Sequence, residues 1–272
     1  MRTVLAPSDV LPLTCTRSGT CCHGKDIRIT PWELARLAQA RGISAREFRE
    51  RDTADAGTRL RLGTPGWRDL PACSQYDPGM GCTVHAARPL ACRLYPLGRE
   101  VQGGEVRIIH EGSAFPCLDG CPEVSTLPRL TVAAYLEGQG AEPFAVARDA
   151  YLELAQDLAE AAFTMVFDGG LGAGSDRRWA NAWRVAVDGG STAWPSVLGP
   201  VWHDQLTIPE IAIGTDAGRW PEEHGGAVQE LAAEAAPAVA CVRLFASALL
   251  LFQAVGGEAA VMGRRWLAQA GV

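Results

Sequence analysis

"CTVHAARPLACRLYP", residues 82–96, packs two cysteines, a histidine and two arginines into fifteen positions. Just upstream, Asp77-Pro78-Gly79 reads as a tight turn that joins Cys73 to Cys82. The combined pattern is Cys73-x8-Cys82-x2-His85-x2-Arg88-Pro89-x2-Cys92-Arg93-x-Tyr95-Pro96. Spacings this short let turns present several thiolates to one centre. Soft thiolates suit zinc and iron–sulfur clusters, whereas calcium and magnesium prefer oxygen ligands.

Two further pieces flank this one. Cys15-x5-Cys21-Cys22 precedes it and Cys117-x3-Cys121-Pro122 follows. The candidate metal ligands are therefore Cys15, Cys21, Cys22, Cys73, Cys82, Cys92, Cys117 and Cys121. Free cysteine also packs well as a small hydrophobe. Cys21 and Cys82, however, follow Thr, Arg, Ser, Asp, Pro and Gly, which are polar or turn residues. The ninth cysteine, Cys241, sits among Val239, Ala240, Val242 and Leu244 and reads as core. Two consecutive side chains tend to diverge, so Cys21 and Cys22 are expected to serve different centres, or one ligates while the other packs. Eight cysteines at four per site allow at most two thiolate centres, and one centre with spare cysteines is equally permitted. His85 is open as ligand, as hydrogen-bond donor or as structural histidine, and His23 and His110 read as bystanders. Arg88 and Arg93 are open as donors to sulfur, as caps for carbonyls or as ordinary surface arginines.

The chain has 272 residues, 47% of them hydrophobic, enough to bury a sizeable core. A net charge of −6 and the absence of any basic block argue against nucleic acid or an anionic membrane as main partner. "MRTVLAPSDVLPLTC" lacks a basic start followed by an apolar run, so a cytoplasmic location is expected. In such a reducing compartment, cysteine patterns bind metal or do redox work more often than they form disulfides. The apolar stretch Pro237 to Val255 is interrupted by Arg243 and reads as a buried helix.

Short elements fill the cysteine-rich part. Thr30-Pro31-Trp32-Glu33 is a capping box opening a helix that ends near Gly42, and Ser44 to Glu47 opens a second. A hairpin is expected around Gln102-Gly103-Gly104. Beyond it, Ala147, Tyr151, Leu154, Leu158, Ala162 and Met165 recur at helical spacing. Further helices are expected over 176–187, with Trp179 and Trp183 on one face, over 227–255 and over 257–269; residues 189–225 read as irregular. The expected fold is mainly α with small irregular β-hairpins. It comprises a metal-stapled cysteine-cluster domain over 1–130 and a helical domain over 131–272.

The cysteine pattern resembles the CxxCxxCC (YkgJ-type) family of zinc- or iron-chelating proteins. The resemblance runs from about Cys15 to Cys121. It is most specific in "CTVHAARPLACRLYP", which follows Cys-x2-(His or Tyr)-x2-Arg-Pro-x2-Cys-Arg-x-(Tyr or Phe)-Pro. Ser18 stands where the family name implies a cysteine, so one nominal ligand is missing. One branch of the family looks like flagellin lysine N-methylases, thought to need a 4Fe–4S cluster. The resemblance implies a metal centre, with 4Fe–4S preferred over zinc for the cysteine-rich, histidine-poor donor set. It leaves three roles open: a protein N-methyltransferase with a protein substrate, a zinc-stabilised module that binds a partner protein, and a redox or metal-handling protein. Asp168-Gly169-Gly170-Leu171-Gly172-Ala173-Gly174 fits the loop by which many methyltransferases cradle S-adenosylmethionine. Such a loop follows a strand, whereas helical spacing runs into this one, so it reads as a helix stop.

Overall fold

The computed structural model describes residues 3–12, 19–102, 104–110, 128–174 and 177–272. The protein is mainly α-helical with small antiparallel strand pairs, as its sequence pattern indicates. Its contacts divide into two compact units that interleave along the chain. One comprises residues 1–27 and 60–145, the other 28–59 and 146–272. The capped helices after Thr30 therefore cluster with the C-terminal helices, a grouping that cysteine placement along the chain does not reveal.

The first unit is built from short pieces. Leu97–Gln102 and Glu105–His110 form the hairpin expected at Gln102, with Gly103 itself outside the described residues. Thr3–Leu5 adds a third strand, Thr3 opposite His110 and Leu5 opposite Ile108. Val10–Leu11 pairs with Leu130–Thr131. The apolar faces of these strands close over Leu97, Val132 and Tyr135, with Leu5, Leu11, Ile108 and Leu130 at the margin. That core is thin. Such units commonly draw folding free energy from a bound metal.

The second unit is helical and has a larger core. Thr30 caps the helix Pro31–Arg41: its hydroxyl accepts from the Glu33 amide, and the Glu33 carboxylate accepts from the Thr30 amide. Ser44 caps Ala45–Asp52 by its hydroxyl alone, which accepts from the Glu47 amide at 3.1 Å. Both starts follow the capping pattern. The helix carrying Tyr151 and Leu154 ends at Phe167, and Gly170 then takes a left-handed φ of 78°.

Three boundaries differ from the expected ones. The helix with Trp179 and Trp183 runs over Arg178–Leu198, not to Val187, and Asp176 lies outside the described residues. Gly190 (φ 52°, ψ −142°) kinks this helix rather than ending it. Pro195 inside it costs about 3 kcal/mol, but Trp194 and Leu198 are buried and each returns about 2–3 kcal/mol. Pro200 then starts another helix, Pro200–Thr207, and Pro237 splits the expected 227–255 helix into Arg219–Glu234 and Pro237–Ala254. At a first helical position proline loses no hydrogen bond, so here it opens helices. Among the described residues, Pro237–Ala254 is the one helix long and apolar enough to cross a membrane. It is a core helix: 61% of it is buried, Phe245 stacks on Trp183 at 4.0 Å, and Arg243 lies over Trp202.

Candidate metal centre

Gly19 starts the site. Its φ of 78° turns the chain into a short 3-10 turn, Thr20–Cys22, closed by the Cys22 amide donating to the Gly19 carbonyl at 2.8 Å. No other residue fits, since a Cβ on Gly19 would lie 2.2 Å from the Tyr76 ring. His23 is buried, and its Nδ1 donates to the same Gly19 carbonyl at 3.0 Å. Its ring meets Tyr76 edge-on at 4.6 Å. The histidine that reads as a bystander in sequence thus clamps the turn holding the cysteine pair.

Backbone pairing brings the next thiol in. His23 bridges Ala72 antiparallel and the Gly24 amide donates to the Pro71 carbonyl, so Cys22 and Cys73 flank one bridge. The Asp77-Pro78-Gly79 turn is formed as the sequence implies. Asp77 Oδ1 accepts from the amides of Gly79 and Met80, both at 2.8 Å, and Tyr76 pairs with Cys82 across the hairpin. Cys92 stands on the short helix Leu90–Leu94, anchored by buried Leu90 and Leu94.

Five cysteines, Cys21, Cys22, Cys73, Cys82 and Cys92, thereby line one cavity of about 440 Å³, with His85, Arg88 and Lys25 on its wall. All five are half-buried. Cys15, Cys117 and Cys121 lie outside the described residues. The two adjacent cysteines share the cavity instead of diverging. In a 3-10 turn successive side chains stand about 120° apart rather than on opposite faces as in a strand. Cys22 hydrogen-bonds to Cys21, and that bond, helped by its own backbone amide, Lys25 and Arg88, pulls the Cys21 thiol down to about 7 against the opposing effect of burial. Cys22 moves the other way, far up, through the same bond, burial and the charges of Cys21, Cys82 and Cys92. Cys21 is therefore the acidic member of the pair, with Cys22 donating to it.

The donor set is soft, as zinc or iron requires. Among the described residues no three His, Cys, Asp or Glu side chains form a group that could hold a single ion.

Neither arginine is an ordinary surface residue, for both are buried. Arg93 is a carbonyl cap. It donates to the carbonyls of Arg88 (2.8 Å), Ala86 (2.6 Å) and Gln139 (2.5 Å), and its guanidinium lies over the Phe144 ring. Arg88 donates to the His85 carbonyl at 2.7 Å, contacts His85 Nδ1 at 3.1 Å and binds the Gln139 side-chain oxygen.

The CxxCxxCC family model, described as "Putative zinc- or iron-chelating domain", matches residues 14–109. No curated protein and no solved structure matches the chain. The matched stretch includes all five cysteines of the cavity, Cys15 among the undescribed residues, and also residues 28–59 of the second compact unit. Its description supports metal binding by these cysteines.

Two groups outside the matched stretch have structural roles. Cys241 is fully buried, its thiol donates to the Ala162 carbonyl at 3.6 Å, and burial pushes it up to about 12. It stays protonated in the core. The glycine-rich loop after Phe167 is a helix stop. The amides of Asp168 and Gly169 donate to Thr164, Leu171 to Met165 and Gly172 to Val166. Those donors satisfy the last helical carbonyls, so they are not displayed to a cofactor.

Sequence reasoning missed Gly19, His23, Tyr76 and Lys25. A glycine two residues before a Cys-Cys pair was the one signal for the turn, and a lone lysine in an arginine-rich chain was the signal for the cation beside Cys21.

Proposed function

We propose that this cavity holds an iron–sulfur centre, of the 4Fe–4S type, and that the protein is a cytoplasmic metalloprotein acting on or with a partner protein. The carrying observation is the placement of five thiols around one cavity of about 440 Å³. Four sulfurs on one zinc, each about 2.3 Å from it, would sit only about 3.8 Å apart. A cluster of several irons holds its thiolates further apart, which suits thiols spread around a cavity of that size. Cys22, which feels the charges of Cys82 and Cys92, would hold the centre with them and with Cys73. Cys21 stands beside Lys25 and Arg88. Cys15, Cys21, Cys117 and Cys121 complete the proposed ligand set. When bound, such a centre supplies one-electron chemistry or an open Lewis-acidic iron. The bond from Cys22, with Lys25 and Arg88, would favour the thiolate of Cys21, and Cys22 would give up its proton on metal binding.

The short elements around the cysteines favour a second reading, a zinc-stapled module whose surface binds a protein partner. The likeness to flagellin lysine N-methylases would make lysine methylation of a protein the enzymatic form of the first reading. The glycine loop lends that form no support, since its amides serve the helix.

Purification without oxygen tests the assignment. Brown protein with iron and acid-labile sulfide is expected; colourless protein with stoichiometric zinc would overturn the iron centre in favour of the zinc module.

A further inference from the structure

His85 lies between Cys82 and Cys92 in sequence and lines the same cavity. In a cysteine-rich site a histidine so placed invites assignment as an extra metal ligand. Its hydrogen bonds point elsewhere. Arg88 Nη1 lies 3.1 Å from His85 Nδ1 and 2.7 Å from the His85 carbonyl. Guanidinium is always charged and has no lone pair to offer, so it is the donor in both contacts. Nδ1 must then be the acceptor, which places the ring proton of neutral His85 on Nε2.

That arrangement is braced. Arg88 Nη2 is engaged by the Gln139 side-chain oxygen, and Arg93 grips both the Arg88 and the Gln139 carbonyls. Arg88 itself is 9% exposed. Rotating it away from His85 would leave a buried charge short of partners, which is costly. The Nε2–H tautomer is thus fixed by a half-buried chain of hydrogen bonds running from Gln139 through Arg88 to His85.

Metal binding by imidazole needs a ring nitrogen with its lone pair exposed to the ion. In His85, Nδ1 is spent on Arg88 and Nε2 carries the proton. We infer that His85 is not a ligand of the metal centre but a hydrogen-bond donor to its thiolate-rich wall, oriented for that task by Arg88. The inference rests on the metal reading above and deepens it. Donors of this kind withdraw charge from sulfur, so they tune a thiolate centre without being part of it.

The test uses the full chain purified without oxygen: wild type, Cys92→Ser, His85→Ala and His85→Gln. Metal per chain is measured along with affinity in chelator competition and the thiolate-to-metal absorption, with cobalt replacing zinc if zinc is found. His85→Ala should keep the wild-type metal stoichiometry, bind metal about 10–100-fold more weakly, and shift the absorption band. His85→Gln, which restores an N–H, should recover both in large part, whereas Cys92→Ser should lose metal outright. Two outcomes with metal-loaded wild type overturn this inference alone. One is metal loss in a folded His85→Ala matching that of Cys92→Ser, which makes His85 a ligand. The other is an unmoved absorption band and affinity, which leaves His85 a merely structural residue. A metal-free wild type overturns the metal reading and this inference together.

Discussion

His224 makes the helical unit sensitive to acid, by an amount the structure sets. The imidazole is fully buried, with the Tyr151 hydroxyl 3.0 Å from Nδ1 and the Trp220 ring edge-on beside it. Burial pushes its pKa from the ordinary 6.5 down to about 4, against a smaller upward pull from the Gln205 backbone. The folded chain therefore resists a proton that the unfolded chain accepts readily. Above pH 6.5 both forms are neutral and nothing is lost. As the pH falls through 6.5 toward 4, the unfolded state gains protonation free energy that the folded state does not, and stability drops. The full drop is about 3 kcal/mol, of which about 2 kcal/mol falls between pH 7 and pH 5. Urea unfolding at those two pH values, in wild type and in His224→Gln, isolates the effect. Tryptophan fluorescence is a suitable reporter, because of eight tryptophans only Trp67 lies in the other unit. His203, also held low by burial, and the carboxylates act alike in both proteins and cancel. The pH-independent cost of losing the Tyr151 contact cancels too. Wild type should lose about 2 kcal/mol more than His224→Gln on going from pH 7 to pH 5. Equal losses would show that His224 is charged in the fold, or that the fold lets water reach it.

The other predictions concern the cysteines and glycines. Cys92→Ser should remove or cripple the centre and lower stability or solubility, while Cys241→Ala should keep full metal content at a cost of about 1 kcal/mol. Metal analysis of the two decides, and loss confined to Cys241→Ala would show the ligands wrongly assigned. Gly19→Ala places a Cβ 2.2 Å from the Tyr76 ring at a φ of 78°; it should cost about 2 kcal/mol or more and weaken metal affinity, and unchanged chelator competition would refute the role given to the turn. Gly172→Ala puts a Cβ 2.8 Å from the Val166 carbonyl oxygen and should destabilise the helical unit by about 1–3 kcal/mol with metal content unaltered. A wild-type thermal midpoint would contradict that packing.

What could be read from the sequence were features whose cause is local. The Thr30–Glu33 box, the Asp77 turn and the Gly170 helix stop each depend on a few neighbouring residues, and each stands where the spelling puts it. Glycine and proline between 189 and 237 misled because their effect depends on position. Gly190 kinks a helix and Pro200 and Pro237 start helices, outcomes decided by the burial of Trp194, Trp202 and Leu244 around them.

The adjacent cysteines show the same limit from the other side. Whether two neighbouring side chains diverge depends on the backbone between them, and here that backbone is set from a distance. Tyr76, more than fifty residues on, excludes any side chain at position 19, and His23 ties back to the Gly19 carbonyl. Together they wind residues 20–22 into a 3-10 turn that puts both thiols on one cavity. The bond between them, helped by Lys25 and Arg88, makes the two unequal, with Cys21 the more acidic and Cys22 the less. Toward a metal, Cys21 would be the readier of the two to act as a thiolate. Cys22, held protonated by that bond, by burial and by the neighbouring charges, would have to lose its proton to join it.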